Sequence, residues 1–540
     1  MLQSLKRALV AVITALLILP LAGTGLAAGE PNKATEPGLV PLRPVAEAAG
    51  AKVEWNAAEQ AVTVTRDDVV LVLRIGEGTA RWNGQSVPVG APVSLDNGRT
   101  MIPLPFLKAA LGVEVAWDAT ADKAVVDSAA TRAMDFFKAL VKGTPDPETF
   151  TPAFRAAMPA PRLAAIAAQL QQVGSVVQMT GVAHTKSAVH ENVQFVAAIG
   201  QMALDVTVRF DLSGSLVDDY YMNVYAGPTA VAGTPRYANP DLFTETEVLI
   251  GPDGAFPLPG TLAMPAGDGP FPALVLVHGS GPNDRDETVG GVKVFRDLAQ
   301  GLATRGIAVL RYEKRTREHS QKVVMLPNFG LQAETTEDAL LAASLLRARE
   351  GIDPRRVFVL GHSQGGFALP RMLEQDSQKV IAGGIIAAGP NSFLDTLYAQ
   401  SKLMVEAQLL PEAQLPFIAQ QIALLRDPSF NAAQPPKEFV LGFPQYYLDL
   451  RDPVASVAMK VGVPLLIFQG ARDFQVPVSQ FESWQKELAG RDGVTFRLYP
   501  KLNHIFTEGE GPLGFLDEYQ TKANVPAYVI EDIAAWIRNH

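Results

Sequence analysis

The stretch "VFVLGHSQGGFALP", residues 357–370, decides the fold. An apolar run rich in Val and Leu ends in Gly361-His362-Ser363-Gln364-Gly365, and a segment of helical character follows. The pattern is G-x-S-x-G at a strand-to-helix handover. Such a turn is tight enough that bulky flanking side chains would clash, hence the glycines. It lifts Ser363 above the carboxyl end of its strand, at the N-terminus of the next helix. That helix end contributes positive potential and a free backbone N–H at Gln364. Pro370 is expected to kink the helix after its first turns.

A serine hydroxyl is a weak nucleophile and needs a base and donors for a developing oxyanion. In this chain order the acid and the base follow the serine. "PLLIFQGARDFQVP" puts Asp473 just past an apolar strand, and "FRLYPKLNHIF" puts His504 in the loop after the next one. All three then lie on one rim of a parallel sheet. His504 would take the Ser363 proton, and Asp473 would fix the imidazole tautomer. The second oxyanion donor is expected in "VHGSGPNDRDE", after the first parallel strand, so the backbone N–H groups of Ser280 and Gln364 form the expected pair. His362 is read as packing away from the nucleophile. His319, in "KRTREHS", could line the pocket. Asp284, Arg285 and Asp286 are either solvated charges or an ion network at the mouth.

Around this motif, "ALVLVHG", "IAVLRY", "GGIIAAG", "PLLIFQG" and "TFRLYP" alternate with helical segments. Fully apolar strands between helices imply a mostly parallel sheet covered on both faces. An antiparallel opening, "TEVLIG" and "GTLAMPA", brings the number to about eight strands. The roughly seventy residues between "GGIIAAGP" and "VGVPLLIF" exceed a normal crossover. Residues 391–455 are read as a helical cap, with Leu403, Met404, Phe417, Tyr446 and Tyr447 either lining an acyl pocket or packing the cap's own core.

Taken as a set, "HGSGPNDRDE", "RYEKR", "GHSQGG", "GARDFQVP" and "NHIF" resemble the α/β-hydrolase superfamily over residues 243–540. They look most like serine esterases of the prolyl oligopeptidase and dienelactone hydrolase branches. The resemblance implies hydrolysis of small carboxylic esters, short-chain or aryl, through an acyl-enzyme, with no cofactor and no metal. Many dienelactone hydrolase relatives use cysteine as nucleophile, whereas Ser363 stands here. Two other readings stay open: a peptidase or amidase on short peptides, and a wall-binding protein with an inactive hydrolase domain.

The front of the chain is organised differently. "VPLRPVAEAAGAKVEWNAA" (residues 40–58) returns as "IPLPFLKAALGVEVAWDAT" (residues 102–120). Each copy reads as a short strand, a helix closed by glycine and an alternating strand with a Trp. Asn83-Gly84 marks a hairpin turn between further strands. Residues 36–128 resemble the copper amine oxidase N-terminal-like domain. No histidine precedes His184 and the chain has no cysteine, so copper ligands are lacking there. The domain is read as a wall-associating or spacer module. Residues 129–228, helices followed by an antiparallel meander, form a second small α+β domain. Its His184 and His190, six apart, are read as satisfied histidines rather than metal ligands. Residues 229–242 read as a Pro/Gly/Ala linker.

Composition limits the partners. Of 540 residues, 48% are hydrophobic and 19% charged, as in globular proteins, and the net charge of −10 with no basic stripe disfavours nucleic acid. Lys6 and Arg7, the apolar "ALVAVITALLILPLAG" and the small residues of "GTGLAAGE" read as a signal peptide over residues 1–28, followed by a linker over residues 29–37. Its apolar run is short for a membrane anchor, so the expectation is an exported, secreted or wall-associated protein with no transmembrane helix in its mature form.

Overall fold

The computed structural model describes residues 38–540 except 67–68, 226 and 228–229; the signal-peptide reading and the 29–37 linker lie outside the described residues. The chain divides into two compact units, with the described residues up to Tyr225 in one and those from 227 onward in the other.

The larger unit is an α/β sandwich around one eight-stranded sheet. Its strands are β1 (Phe243–Ile250), β2 (Leu258–Pro265), β3 (Phe271–Val277), β4 (Ala308–Tyr312), β5 (Ile352–His362), β6 (Ile381–Ala387), β7 (Leu465–Gly470) and β8 (Val494–Tyr499). The spatial order is β1-β2-β4-β3-β5-β6-β7-β8. β1 and β2 pair antiparallel, as do β2 and β4, and every later pairing is parallel. Burial explains the uninterrupted apolar strands. In β3, Ala273, Val275 and Val277 face one core while Leu274 and Leu276 face another. Val357 and Val359 of β5 side with the first, Phe358 and Leu360 with the second. Helices α1 (Val294–Ala303), α2 (Glu337–Arg347), α3 (Gln364–Gln375), α4 (Phe393–Glu406), α5 (Gln414–Arg426), α6 (Val478–Glu487) and α7 (Ala527–Asn539) cover the sheet or build the cap. α3 runs on through Pro370 to Gln375. α4, α5 and the short helix Pro444–Asp449 form the cap. Just before α2, Gln332–Thr336 winds as a π-helical turn.

The segment leading into β1 is held along its length. Arg296 donates to the carbonyls of Ala232 and Gly233, each at 2.9 Å, and Ala232 N–H reaches the Gly291 carbonyl at 2.8 Å. Tyr237 Oη donates to the Val525 carbonyl at 2.7 Å.

In the smaller unit two cores are separate, and each has its own sheets. The sequence repeat is a structural repeat. Leu39–Pro41 feeds the helix Leu42–Ala48, and Arg99–Pro103 feeds the helix Leu104–Leu111. The two entry strands pair antiparallel, Val40 opposite Ile102. Gly112 closes the second helix in the left-handed conformation, at φ 60°. Asn83 and Gly84, both at positive φ, make the hairpin turn between Thr79–Trp82 and Gln85–Pro88. The second core joins the helices Ser128–Lys142, Pro152–Ala157 and Ala160–Val173 to a four-stranded antiparallel meander. There His184 Nε2 meets Asp127 at 2.5 Å and His190 Nε2 meets Asp218 at 2.7 Å. Among the described residues, no helix is long and apolar enough to cross a membrane.

Candidate active site

β5 ends in the turn that carries Ser363, whose backbone sits at φ 51°, ψ −117°. This conformation is costly for a residue with a side chain, and such strain concentrates at functional sites. The flanking glycines are a steric necessity. A Cβ on Gly361 would lie 2.4 Å from the Gly365 carbonyl, and one on Gly365 would lie 2.4 Å from the Val277 oxygen. Backbone crowds both positions, so no side chain fits without moving β3 or α3. Ser363 N–H is anchored on the Ala387 carbonyl at 2.8 Å.

Two parallel strands further along, the loops after β7 and β8 bring up Asp473 and His504. Asp473 Oδ1 accepts the N–H groups of Gln475 and Val476, both at 2.8 Å, which aims Oδ2 at His504 Nδ1, 2.7 Å away. Both side chains are buried. Asn503 Oδ1 accepts from Ile505 and Thr507 N–H and stiffens the histidine loop. Ser280, Ser363 and His504 line one cavity of about 90 Å³, together with Phe393, Leu397 and Met404 from the cap helix α4. Asp473 lies behind the imidazole. Gln364 is fully buried and does not line the cavity. Neither Ser280 N–H nor Gln364 N–H donates to any acceptor among the described residues. Likewise the Ser363 hydroxyl makes no hydrogen bond there.

Of the five cap residues weighed for the pocket, Met404 alone lines it. Tyr446 and Tyr447 are buried in the cap core beside Phe329 and Phe439. His319 does not reach the cavity either: it is buried, with Nε2 2.8 Å from the Pro257 carbonyl and its ring edge-on to Phe256. The charges after the first parallel strand form a network rather than a solvated cluster. Arg285 binds Glu247 and Glu313, Asp286 binds Lys293 and Arg311, and Asp284 accepts the Thr288 N–H.

Sequence reasoning missed a buried polar layer that reaches the cavity wall at Glu287 and His362. Glu287 accepts Gly279 N–H at 2.6 Å and faces His362 Nδ1 at 2.9 Å, while His362 Nε2 meets the His504 carbonyl at 2.9 Å. Burial alone would lower the His362 pKa, but the Glu287 charge and hydrogen bond, with help from the His504 carbonyl and Asp473, raise it. Burial would likewise raise Glu287, yet His362 holds it below the usual carboxylate value. On the other side, Lys314 Nζ donates to the Gly279 carbonyl at 2.7 Å and lies 3.2 Å from Glu334. Burial pushes His278 down to about 4, so it stays neutral. The only sequence signal for this layer was charge at the ends of apolar strands, in "HGSGPNDRDE" and "RYEKR".

An eight-stranded sheet in this order, a G-x-S-x-G turn after β5 and a carboxylate–imidazole contact after β7 and β8 define an α/β-hydrolase fold. The chain is 39% identical over 308 residues to the esterase EstD of Thermotoga maritima, spanning 56% of this chain and 69% of that one, and it belongs to that protein's family. Residues 272–510 match the family described as serine aminopeptidase, S33, and residues 31–126 match the copper amine oxidase N-terminal domain. Among solved structures, the Pyrococcus furiosus esterase PF2001 aligns at 16% identity and TM-score 0.36, over 58% of this chain and 99% of its own. A putative dienelactone hydrolase from Klebsiella pneumoniae aligns at 17% and 0.34, over 55% and 99%.

Proposed function

We propose that the chain is an exported serine carboxylesterase for short-chain or aryl esters, with its chemistry in residues 243–540 and its front domains, residues 36–128 and 129–228, joined to it through 229–242. Ser363 Oγ attacks the ester carbonyl carbon as its proton passes to His504 Nε2. The carbonyl oxygen becomes an oxyanion held by Ser280 N–H and Gln364 N–H. Collapse breaks the C–O bond to the alcohol, which leaves with the His504 proton. Water, deprotonated by His504, then hydrolyses the acyl-enzyme. Asp473 keeps the proton of the imidazole on Nδ1 and stabilises the imidazolium.

One observation carries this reading: the 2.7 Å bond from His504 Nδ1 to Asp473, which leaves Nε2 for the cavity that Ser363 also lines. Its volume of about 90 Å³ favours a small acyl group. Similarity to an esterase agrees with it. Ser363→Ala should abolish ester turnover and fluorophosphonate labelling with an unchanged circular dichroism spectrum. A folded Ser363→Ala protein with wild-type turnover would end the assignment. A second reading, cleavage of short peptides, draws on the serine aminopeptidase family match. Parallel assays of p-nitrophenyl esters and aminoacyl nitroanilides separate the two.

A further inference from the structure

The Gly279–Ser280 peptide has an unusual setting. Its carbonyl oxygen accepts a buried ammonium, Lys314 Nζ, at 2.7 Å and the Asn283 amide at 3.1 Å. Its N–H, on Ser280, has no acceptor among the described residues, and Ser280 lines the cavity. In a trans peptide the C=O and N–H point in opposite directions within one plane. Fixing the oxygen on Lys314 therefore fixes the N–H on the far side. A charged donor on the oxygen also polarises the whole conjugated group, and that strengthens the N–H as a donor.

The same ammonium reaches the neighbour of the nucleophile. Lys314 Nζ donates to Gln364 Oε1 at 3.2 Å, Gln364 Nε2 donates to Glu334 Oε2 at 2.7 Å, and Glu334 Oε1 closes the ring on Lys314 at 3.2 Å. All three side chains are at least 96% buried. A buried ion pair is weak grounds for stability, because desolvation offsets most of the attraction. What this pair does have is one contact on the Gly279–Ser280 peptide and two on the Gln364 side chain.

We propose that Lys314 is a positioning residue for the oxyanion: its charge polarises and aims the Gly279–Ser280 peptide, and with Glu334 it locks Gln364. The proposal rests on the serine-hydrolase reading above. Lys314 touches no reacting atom, so its effect should fall on the transition state and not on substrate binding.

The test is the paired substitution Lys314→Met with Glu334→Gln in the full chain, which leaves no charge unpaired. The pair Lys314→Gln with Glu334→Gln, which keeps polar partners, is judged by the same criteria. Removing an oxyanion donor costs ~10²–10³ in turnover, so weakening and loosening two should lower kcat by ~10–10²-fold with KM within ~3-fold. Fluorophosphonate labelling adds a second readout. Ser363 Oγ bonds to phosphorus, fluoride leaves, the serine proton goes to His504, and the phosphonyl oxygen enters the same donors. Its rate should fall in step with kcat. A folded variant labelled at the wild-type rate, or one with kcat within ~2-fold of wild type, overturns the role of Lys314. Wild-type protein that labels at Ser363 yet cleaves no ester would instead overturn the substrate reading, and the labelling rates of the variants would still decide on Lys314.

Discussion

Replacing Glu287 with glutamine should uncouple two loops at once. Its carboxylate holds Gly279 N–H at 2.6 Å and His362 Nδ1 at 2.9 Å, and His362 in turn holds the His504 carbonyl. Glutamine keeps the shape and loses the charge. Removing one member of a buried ion pair costs about 3–5 kcal/mol, and the lower end, about 3 kcal/mol, applies because the amide retains one contact. An unfolding entropy of about 2.1 cal/mol/K per residue over roughly 300 residues makes each kcal/mol worth about 1.5 °C, so the transition of the larger unit should fall by about 4–5 °C. Differential scanning calorimetry across pH is the assay. The His362 pKa is raised above its ordinary 6.5, so its contribution is complete below 6.5 and is lost as pH rises through the raised folded value. Glu287 lies below its ordinary 4.5, so its share is present above 4.5 and is lost as pH falls through the depressed value. The gap between wild type and variant should thus be widest at about pH 6 and close on the alkaline side of His362. A gap under about 1 °C at that pH, or one that widens with alkalinity, refutes the coupling.

Gly365→Ala would press a methyl group onto the Val277 and His278 carbonyls, at 2.4 and 2.7 Å, so a loss of about 3 kcal/mol or more is expected, with turnover lost as well. A variant melting like wild type would disprove that the turn is packed this tightly. A fragment of residues 237–540 should keep ester turnover, since every proposed catalytic group lies within it. It should melt below a fragment of residues 226–540, because it lacks the Ala232 and Gly233 carbonyls that Arg296 binds. Ala232 N–H on the Gly291 carbonyl and Asn524 Nδ2 on the Gly233 carbonyl go as well, so at about 1 kcal/mol per hydrogen bond the four lost bonds make a difference of roughly 6 °C; equal melting temperatures would show that the segment leading into β1 carries no stability.

Local grammar explains what could be read before any coordinates. The glycines around Ser363, the positions of Asp473 and His504 just past apolar strands, and the 62-residue recurrence of the Pro-Leu and Gly landmarks are all short-range signals. The fold class follows from strands apolar on both faces. Strand order is another matter, since nothing in β4 says that it sits outside β3. The polar layer is harder still. Glu287 meets His362 across 75 positions, and His362 meets His504 across 142. Such pairings have no period, and a glutamate in "NDRDE" looks like solvated charge. His362 does not pack away from Ser363, since both line one cavity, and its ring is spent on Glu287 and the backbone of His504, which no local pattern could announce.

The π-helical turn at Gln332–Thr336 sets a limit on how this chain can vary. The turn ends on an i→i+5 bond, Glu337 N–H to the Gln332 carbonyl, where an α-helix would bond i to i+4, and it carries the Glu334 that accepts from Gln364. Each residue advances a helix by about 100°, so losing one would let the turn relax and swing the carboxylate a third of the way round the axis. A single-codon deletion inside the turn would therefore take from the buried Lys314 ammonium the carboxylate that faces it.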